Sequence, residues 1–390
     1  MSQEIYLDNS ATTPLCDAAK AAMQEVMEHT YGNPSSLHAL GLAAEKAVKN
    51  ARTAVLASLG VRGEDKQLIF CGSGSEANNL ALIGVYTSKK RAHARVILTE
   101  GEHSSTEAAA RYLERIGAEV VRLSTKGGEL DFDEVENAIT ENTVLVSAML
   151  VNNETGARYP VEELFALAKA KNPQIVCHTD AVQGYLKLKF TQRSLGADLI
   201  TVSAHKIGGP KGTAALYVHP DVLKHKALVP ILHGGQQENG MRPGTENVVC
   251  LAGFGAAAAD GALHFAEHTA ALKALSDRLL ARLSQDESLS EIKVNRPRKA
   301  VPHIISLTLP RIKSETMLHY LSGRGIYVSS GSACASHARS VSRALHAYGL
   351  SDEDADCTIR VSLSHTNTED GIDAFCSALA DGLTNLIRIK

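Results

Sequence analysis

Along the middle of the chain, short β-branched apolar runs alternate with longer stretches whose apolar positions recur every three or four residues. The runs at 67–70, 95–98, 119–123, 143–149, 174–177, 199–202 and 214–218 read as strands. Amphipathic or alanine-rich segments lie between several of them, including 105–116 and 161–170. The second opens with Pro160 ahead of Glu162 and Glu163. Proline fits the first helical turn, where its missing amide proton is not needed, and acids there meet the positive end of the helix dipole. Strand–helix–strand alternation predicts a mostly parallel, doubly wound α/β sheet with ligands at the C-terminal ends of its strands.

After about residue 260 the pattern changes. A long helix is expected over 262–285, then shorter strands at 303–309, 326–329 and 358–363. Thr366-Asn367-Thr368-Glu369 has capping-box spacing ahead of a last helix. This second part reads as a smaller α+β domain, and 390 residues suit two or three domains.

Composition narrows the classes. Hydrophobic residues make up 44% and charged residues 21%, the balance of an ordinary globular protein. Forty basic against 43 acidic side chains leave a net charge of −3, and no basic run is long enough for a nucleic-acid footprint. The longest apolar run, 248–259, falls short of the roughly 18–20 residues of a membrane span and reads as a buried helix. Met1-Ser2-Gln3-Glu4 has neither the positive start nor the apolar stretch of a secretory signal. The seven cysteines, Cys16, Cys71, Cys177, Cys250, Cys334, Cys357 and Cys376, form no CxxC pair, so no metal pattern is expected. Their odd number and wide spacing suit a reduced, cytoplasmic protein in which most are small buried hydrophobes.

Three segments could carry chemistry. Gly72-Ser73-Gly74-Ser75-Glu76-Ala77 follows a strand and opens a helix. It reads equally as a dinucleotide fingerprint with Glu100 near the ribose, as a cup for one phosphate, or as a tight turn that needs glycine. Asp180, just past strand 174–177, could pair with a cationic ring nitrogen or a metal, or merely cap a helix. Strand 199–202 runs into Ser203-Ala204-His205-Lys206, and the glycines of 208–212 lack Walker A spacing. A desolvated lysine at a strand end forms Schiff bases. A phosphate cup, a strand-end acid and a strand-end lysine together suit pyridoxal phosphate. That cofactor needs an amine for its aldehyde, a carboxylate for its ring nitrogen and donors for its phosphate.

Longer stretches carry a resemblance. Tyr6-Leu7-Asp8-Asn9-Ser10-Ala11-Thr12-Thr13, Gly32-Asn33-Pro34-Ser35-Ser36, Glu102-His103 and Val151-Asn152-Asn153-Glu154-Thr155-Gly156 are similar to cysteine desulfurases. So are 203–206, Met241-Arg242-Pro243-Gly244-Thr245-Glu246 and Ser330-Gly331-Ser332-Ala333-Cys334. The resemblance spans about residues 5–375, and the cysteine segment resembles the NifS/IscS group. It implies the class V aminotransferase fold of pyridoxal 5'-phosphate enzymes. The large cofactor domain would cover 16–260. Residues 1–15 plus 261–390 would form a small domain carrying the cysteine loop. It further implies a homodimer that converts L-cysteine to L-alanine and leaves a persulfide on Cys334. The sulfur acceptor would be an iron–sulfur scaffold or a tRNA-thiolation enzyme.

By the same resemblance, Lys206 holds the cofactor as a Schiff base, His103 stacks on the ring and shuttles protons, Asp180 pairs with the ring nitrogen and Gln183 with the phenolic oxygen. Gly74, Ser75, Ser203 and His205 hold the phosphate, joined by Thr245 from a second subunit. Asn153, Arg360 and Asn33 bind the substrate carboxylate. Arg360 stands on a strand whose Ile359, Val361 and Leu363 face the other way, so its side chain should leave the core. Cys334 stands in a run of small residues, 329–337, where a thiol has little to pack against. Two features depart from the family pattern. The turn 71–76 reads Cys-Gly-Ser-Gly-Ser-Glu where relatives usually have Thr-Ser-Gly-Ala-Thr-Glu, and the segment from Cys334 to Arg343 looks a few residues short. Rival readings are a selenocysteine lyase, another class V lyase or aminotransferase, a nucleotide-binding dehydrogenase, and a non-catalytic sulfur carrier on the same fold.

Overall fold

The computed structural model describes residues 4–63, 65–89, 93–331 and 342–389. A short N-terminal strand β1 (Ile5–Tyr6) precedes the main sheet. That sheet is built from β2 (Leu68–Cys71), β3 (Arg95–Thr99), β4 (Glu119–Leu123), β5 (Thr143–Ser147), β6 (Val176–Asp180), β7 (Leu199–Ser203) and β8 (Ala214–Val218). Its order is β2-β8-β7-β6-β5-β3-β4. The pairs from β4 through β7 are parallel, while β8 runs antiparallel to both β7 and β2. All seven strands foreseen in the sequence form. The one displaced furthest is β6, which starts later and carries Asp180 as its last residue instead of just beyond its end.

The sheet is covered on both faces, and strand alternation shows it. Leu68, Phe70 and Ile97 point into one apolar core, whereas Ile69, Val96 and Leu98 point into the other. Helices α1 (Asp17–His29) and α2 (Ala39–Ser58) cover the first face together with helix Val248–Leu263, the run too short for a membrane. Helices α3 (Gly74–Lys89) and α4 (Ser104–Arg115) cover the second. Among the described residues no single helix is long and apolar enough to cross a membrane.

A separate apolar core gathers behind a three-stranded antiparallel sheet. Its strands are β9 (Lys293–Asn295), β10 (Ile304–Thr308) and β12 (Thr358–Ser362), and β11 (Ile326–Tyr327) pairs in parallel with β1. Here the sequence reading needs two corrections. The helix expected over 262–285 starts at Phe265 and meets the preceding helix at a 75° bend next to His264. The apolar run 248–259 packs on the main sheet, while Leu272, Leu275, Leu279 and Leu283 pack on the small one, so one straight helix could not serve both cores. The cap of the last helix, Glu369–Asn385, is Thr368, whose hydroxyl accepts the Gly371 amide, and not Thr366. Of the six described cysteines, Cys71, Cys177, Cys357 and Cys376 are buried, whereas Cys16 and Cys250 are half-buried.

Candidate active site

The C-terminal ends of β3, β5, β6 and β7 converge on a cavity of about 230 Å³. Its lining includes Gly74, Ser75, His103, Asn153, Asp180, Gln183, Ser203, His205, Lys206 and Arg360, all named from the sequence, together with Ser10, Ala11, Ser73, Asn78, Met149 and Val182. These residues come from eight stretches of chain, and the parallel sheet is what brings them together.

One wall is a cup of donors. Helix α3 begins at Gly74, and Ser73 caps it by accepting the Glu76 amide at 3.1 Å. A side-chain carbon at Gly74 would lie 3.8 Å from Ser203 Cβ, so the helix start and the end of β7 touch. Ser203 Oγ is buried without a partner. Beside it, burial and the Lys206 charge push the His205 pKa down to about 4, so the ring is neutral at pH 7. The dinucleotide reading of this turn fails on topology. Strand β2 is an edge strand paired antiparallel with β8, and four strands, β8, β7, β6 and β5, separate it from β3. Glu100, the acid that reading needs, lines a different cleft with Arg111, Arg122 and Arg343.

Across the cavity, Asp180 is buried and held at both oxygens. Asn78 Nδ2 donates to Oδ2 at 2.7 Å, and the Val182 amide donates to Oδ1 at 3.0 Å. Lys206 follows β7 in a single 3₁₀ turn, with its ammonium against the backbone carbonyls of Ser10 (2.5 Å) and Ala11 (2.7 Å). Gln183 donates Nε2 to the same Ser10 carbonyl, leaving Oε1 buried and unpartnered. His103 caps α4 through Nδ1, and burial is the main cause lowering its pKa.

Arg360 leaves the small core as foreseen, yet it is 2% exposed instead of lying on an open strand. It pairs with Asp8 Oδ1 at 2.8 Å and donates to the Asn153 carbonyl at 2.9 Å, with Nε left as a buried donor without a partner. A carboxylate ligand would satisfy that donor.

Two foreseen residues are not brought to this cavity. Asn33 and Thr245 are exposed and line none of it; the Asn33 side chain accepts the Ser35 amide at 2.9 Å. Cys334 lies outside the described residues. In turn, Asn78, Ser10 and Ala11 had no role assigned from the sequence. Asn78 was within reach, since one helical turn beyond Gly74 and Ser75 puts it on their face of α3. The Ser10 and Ala11 contacts depend on a chain segment almost 200 residues from Lys206, which no local spacing signals.

Glu102, beside His103, is fully buried. Thr99 Oγ1 and the Met149 amide both donate to Oε1, while Oε2 has no partner, and burial raises its pKa from 4.5 to about 8. The native chain therefore keeps a proton here that the unfolded chain releases near pH 4.5. Stability contributed by the neutral carboxyl is present below that pH and lost as pH rises through about 8. Glu102→Gln should thus raise Tm more at pH 8.5 than at pH 5, measured by calorimetry at both. Equal changes at the two pH values would contradict a protonated Glu102.

The aminotransferase class-V family model matches residues 5–375. A "Cysteine desulfurase IscS" of Dictyoglomus turgidum is 34% identical over 373 residues, covering 95% of this chain and 92% of that one. The "Cysteine desulfurase, mitochondrial" of Saccharomyces cerevisiae is 37% identical, covering 97% of this chain and 75% of its own length. Among solved structures, a "NIFS-LIKE PROTEIN" superposes with a TM-score of 0.90 at 32% identity, over 98% of this chain and all of that one. The structure titled "SspA in complex with cysteine" superposes with a TM-score of 0.80 at 29% identity, over 94% of this chain.

Proposed function

The chain belongs to the aminotransferase class-V family, and from that premise we propose how its cavity works as a pyridoxal 5'-phosphate-dependent cysteine desulfurase. One observation carries the reading. Asp180, Lys206, His103 and Arg360 lie hundreds of residues apart in sequence at the extremes and line one cavity. The orphaned Ser203 Oγ and the α3 start fit a phosphate, Asp180 fits a ring nitrogen, and the Lys206 amine fits an aldehyde. When bound, the cofactor supplies an electron sink that weakens bonds at the substrate's α-carbon.

The protein's own residues do the rest. Arg360 and Asn153 hold the L-cysteine carboxylate, with the unpaired Nε as the waiting donor. Asp180, held by Asn78 and the Val182 amide, would stand opposite the ring nitrogen. Lys206 would hold the cofactor, and its amine, freed in the presence of substrate, would take the α-proton at Nζ. The Cys334 thiolate would attack the substrate sulfur, forming the S–S bond of a persulfide as the substrate Cβ–S bond breaks and leaves its electron pair on carbon, and would hand that sulfur to an acceptor protein, an iron–sulfur scaffold or a tRNA-thiolation enzyme. The remaining alanine takes back a proton.

The same reading makes the enzyme a cytoplasmic homodimer. Met27, Tyr31, Leu37, Leu40 and Leu42 are large apolar side chains exposed along 27–42, around Asn33. A second copy covering them would bring its Thr245 to this subunit's phosphate cup. The domain division at 16–260 and 1–15 plus 261–390 is supported by the bend at His264 and by β1 pairing with β11.

The test is a visible absorbance spectrum of the purified protein, then L-cysteine with a reductant. A band in the near-ultraviolet to blue region, with sulfide and alanine formed in equal amounts, is expected. A colourless protein that pyridoxal phosphate does not reconstitute would overturn the reading, and pyridoxamine accumulating with a keto acid would point to an aminotransferase.

A further inference from the structure

His103 is tied to Asp180 by a chain of hydrogen bonds whose direction is fixed at both ends. The backbone N–H of Ser105 donates to His103 Nδ1 at 3.2 Å, so Nδ1 is an acceptor. Ser105 Oγ lies 2.8 Å from the same nitrogen. Behind it stands Asn78, whose single amide nitrogen donates one hydrogen to Asp180 Oδ2 at 2.7 Å and the other to Ser105 Oγ at 3.0 Å. A carboxylate only accepts, which fixes which end of the Asn78 amide faces Asp180. Ser105 Oγ therefore accepts from Asn78 and has its own proton free for Nδ1. With Nδ1 filled by two donors, the proton of a neutral imidazole must be on Nε2.

We infer that Ser105, oriented by Asn78, is a positioning residue that holds neutral His103 as its Nε2–H tautomer, so that His103 offers the cavity a hydrogen-bond donor and not a base. The chain cannot relay a proton, because it ends at an amide that has none to give. For His103 to become an acid it must first take a proton at Nδ1, against the Ser105 amide. Proton removal is thus left to Lys206. Asn78 has a further consequence through α3. The helix that supplies the phosphate cup at its first turn grips the ring-nitrogen acid and the stacking histidine one turn later, so one rigid element sets both distances.

The inference rests on the cavity being the cofactor site, and its test separates the two. Cofactor-loaded protein is prepared with nitrogen-15 histidine, the His103 signal is assigned with His103→Gln, and its ring nitrogens are followed against pH. A preparation that stays colourless fails the cofactor reading before His103 is titrated. In the loaded protein, Nε2 should report as protonated and Nδ1 as bare across neutral pH. Ser105→Ala should shift the His103 titration upward by about 0.5–1 pH unit, the worth of one hydrogen bond to the neutral ring. Ser105→Thr, which keeps a hydroxyl, should restore it. The charged or titratable groups facing His103 are Asp180 from β6, Lys206 after β7, Arg343 from helix Arg343–Tyr348 and Glu102 on its own loop, and all four stay in these variants. A proton on Nδ1, an unmoved titration in Ser105→Ala, or a shift that Ser105→Thr leaves in place would each overturn the inference.

Discussion

Lys206→Ala is expected to yield a folded, colourless protein with turnover lowered by a factor on the order of 10³ or more. The lysine has two roles here: covalent anchor of the cofactor and base for the α-proton. A positioned base alone contributes roughly 10²–10⁴. Folding should survive, because Lys206 stands at the end of a turn whose backbone is held independently. Thr13 N–H donates to the His205 carbonyl, Gly208 N–H to Thr13 Oγ1, and Gly209 N–H to the Ala204 carbonyl. What the variant loses is an ammonium resting on the Ser10 and Ala11 carbonyls, groups that water can satisfy in an open cavity. Circular dichroism, the visible spectrum and a sulfide assay check the three parts. Retention of both the coloured cofactor and sulfide production would remove Lys206 from its role.

How far that site could be read beforehand depended on distance along the chain. The sheet was legible because its strands are buried on both faces and so appear as unbroken apolar runs, with turns between them. Lys206 and Asp180 were legible as chemistry placed at strand ends. The antiparallel placement of β8 was not, because parallel and antiparallel buried strands have the same apolar pattern, and pairing partners are chosen by the whole sheet. Arg360 was foreseen to leave the core, yet alternation cannot say whether the other face meets solvent or a second layer. Here it meets Asp8 and Asn153, across contacts that span 352 and 207 residues. The bend at His264 was hidden for a similar reason: alanine-rich sequence continues through it, and only the position of two separate cores demands it. Asn33 and Thr245 stand apart from the others, since a single chain leaves both exposed.

The second large effect belongs to Cys334. Cys334→Ala should keep the coloured cofactor and its spectral response to L-cysteine while persulfide and sulfide formation fall by a factor of up to about 10⁶, as for the loss of a nucleophile. No other described cysteine can stand in. None lines the cavity, and burial raises the thiol pKa of Cys71, Cys177, Cys357 and Cys376, to about 11 for Cys376, so almost no thiolate exists at neutral pH. The described residues on either side of 332–341 lie beside the proposed substrate-carboxylate ligands. Ser329 exchanges backbone hydrogen bonds with Arg360, the proposed substrate-carboxylate ligand. Gly331, at φ +66°, approaches Glu154 so closely that a side-chain carbon there would lie 2.9 Å from Oε2. On the far side of the segment, the Ser342 hydroxyl donates to that same oxygen. Both flanks therefore close on the residue next to Asn153. Mass spectrometry of the L-cysteine-treated protein gives the direct reading. An added sulfur on the Cys334 peptide of the native enzyme, absent from Cys334→Ala, is the expected pair of results. Sulfide release by Cys334→Ala at the native rate would mean that sulfur leaves the substrate without this thiol.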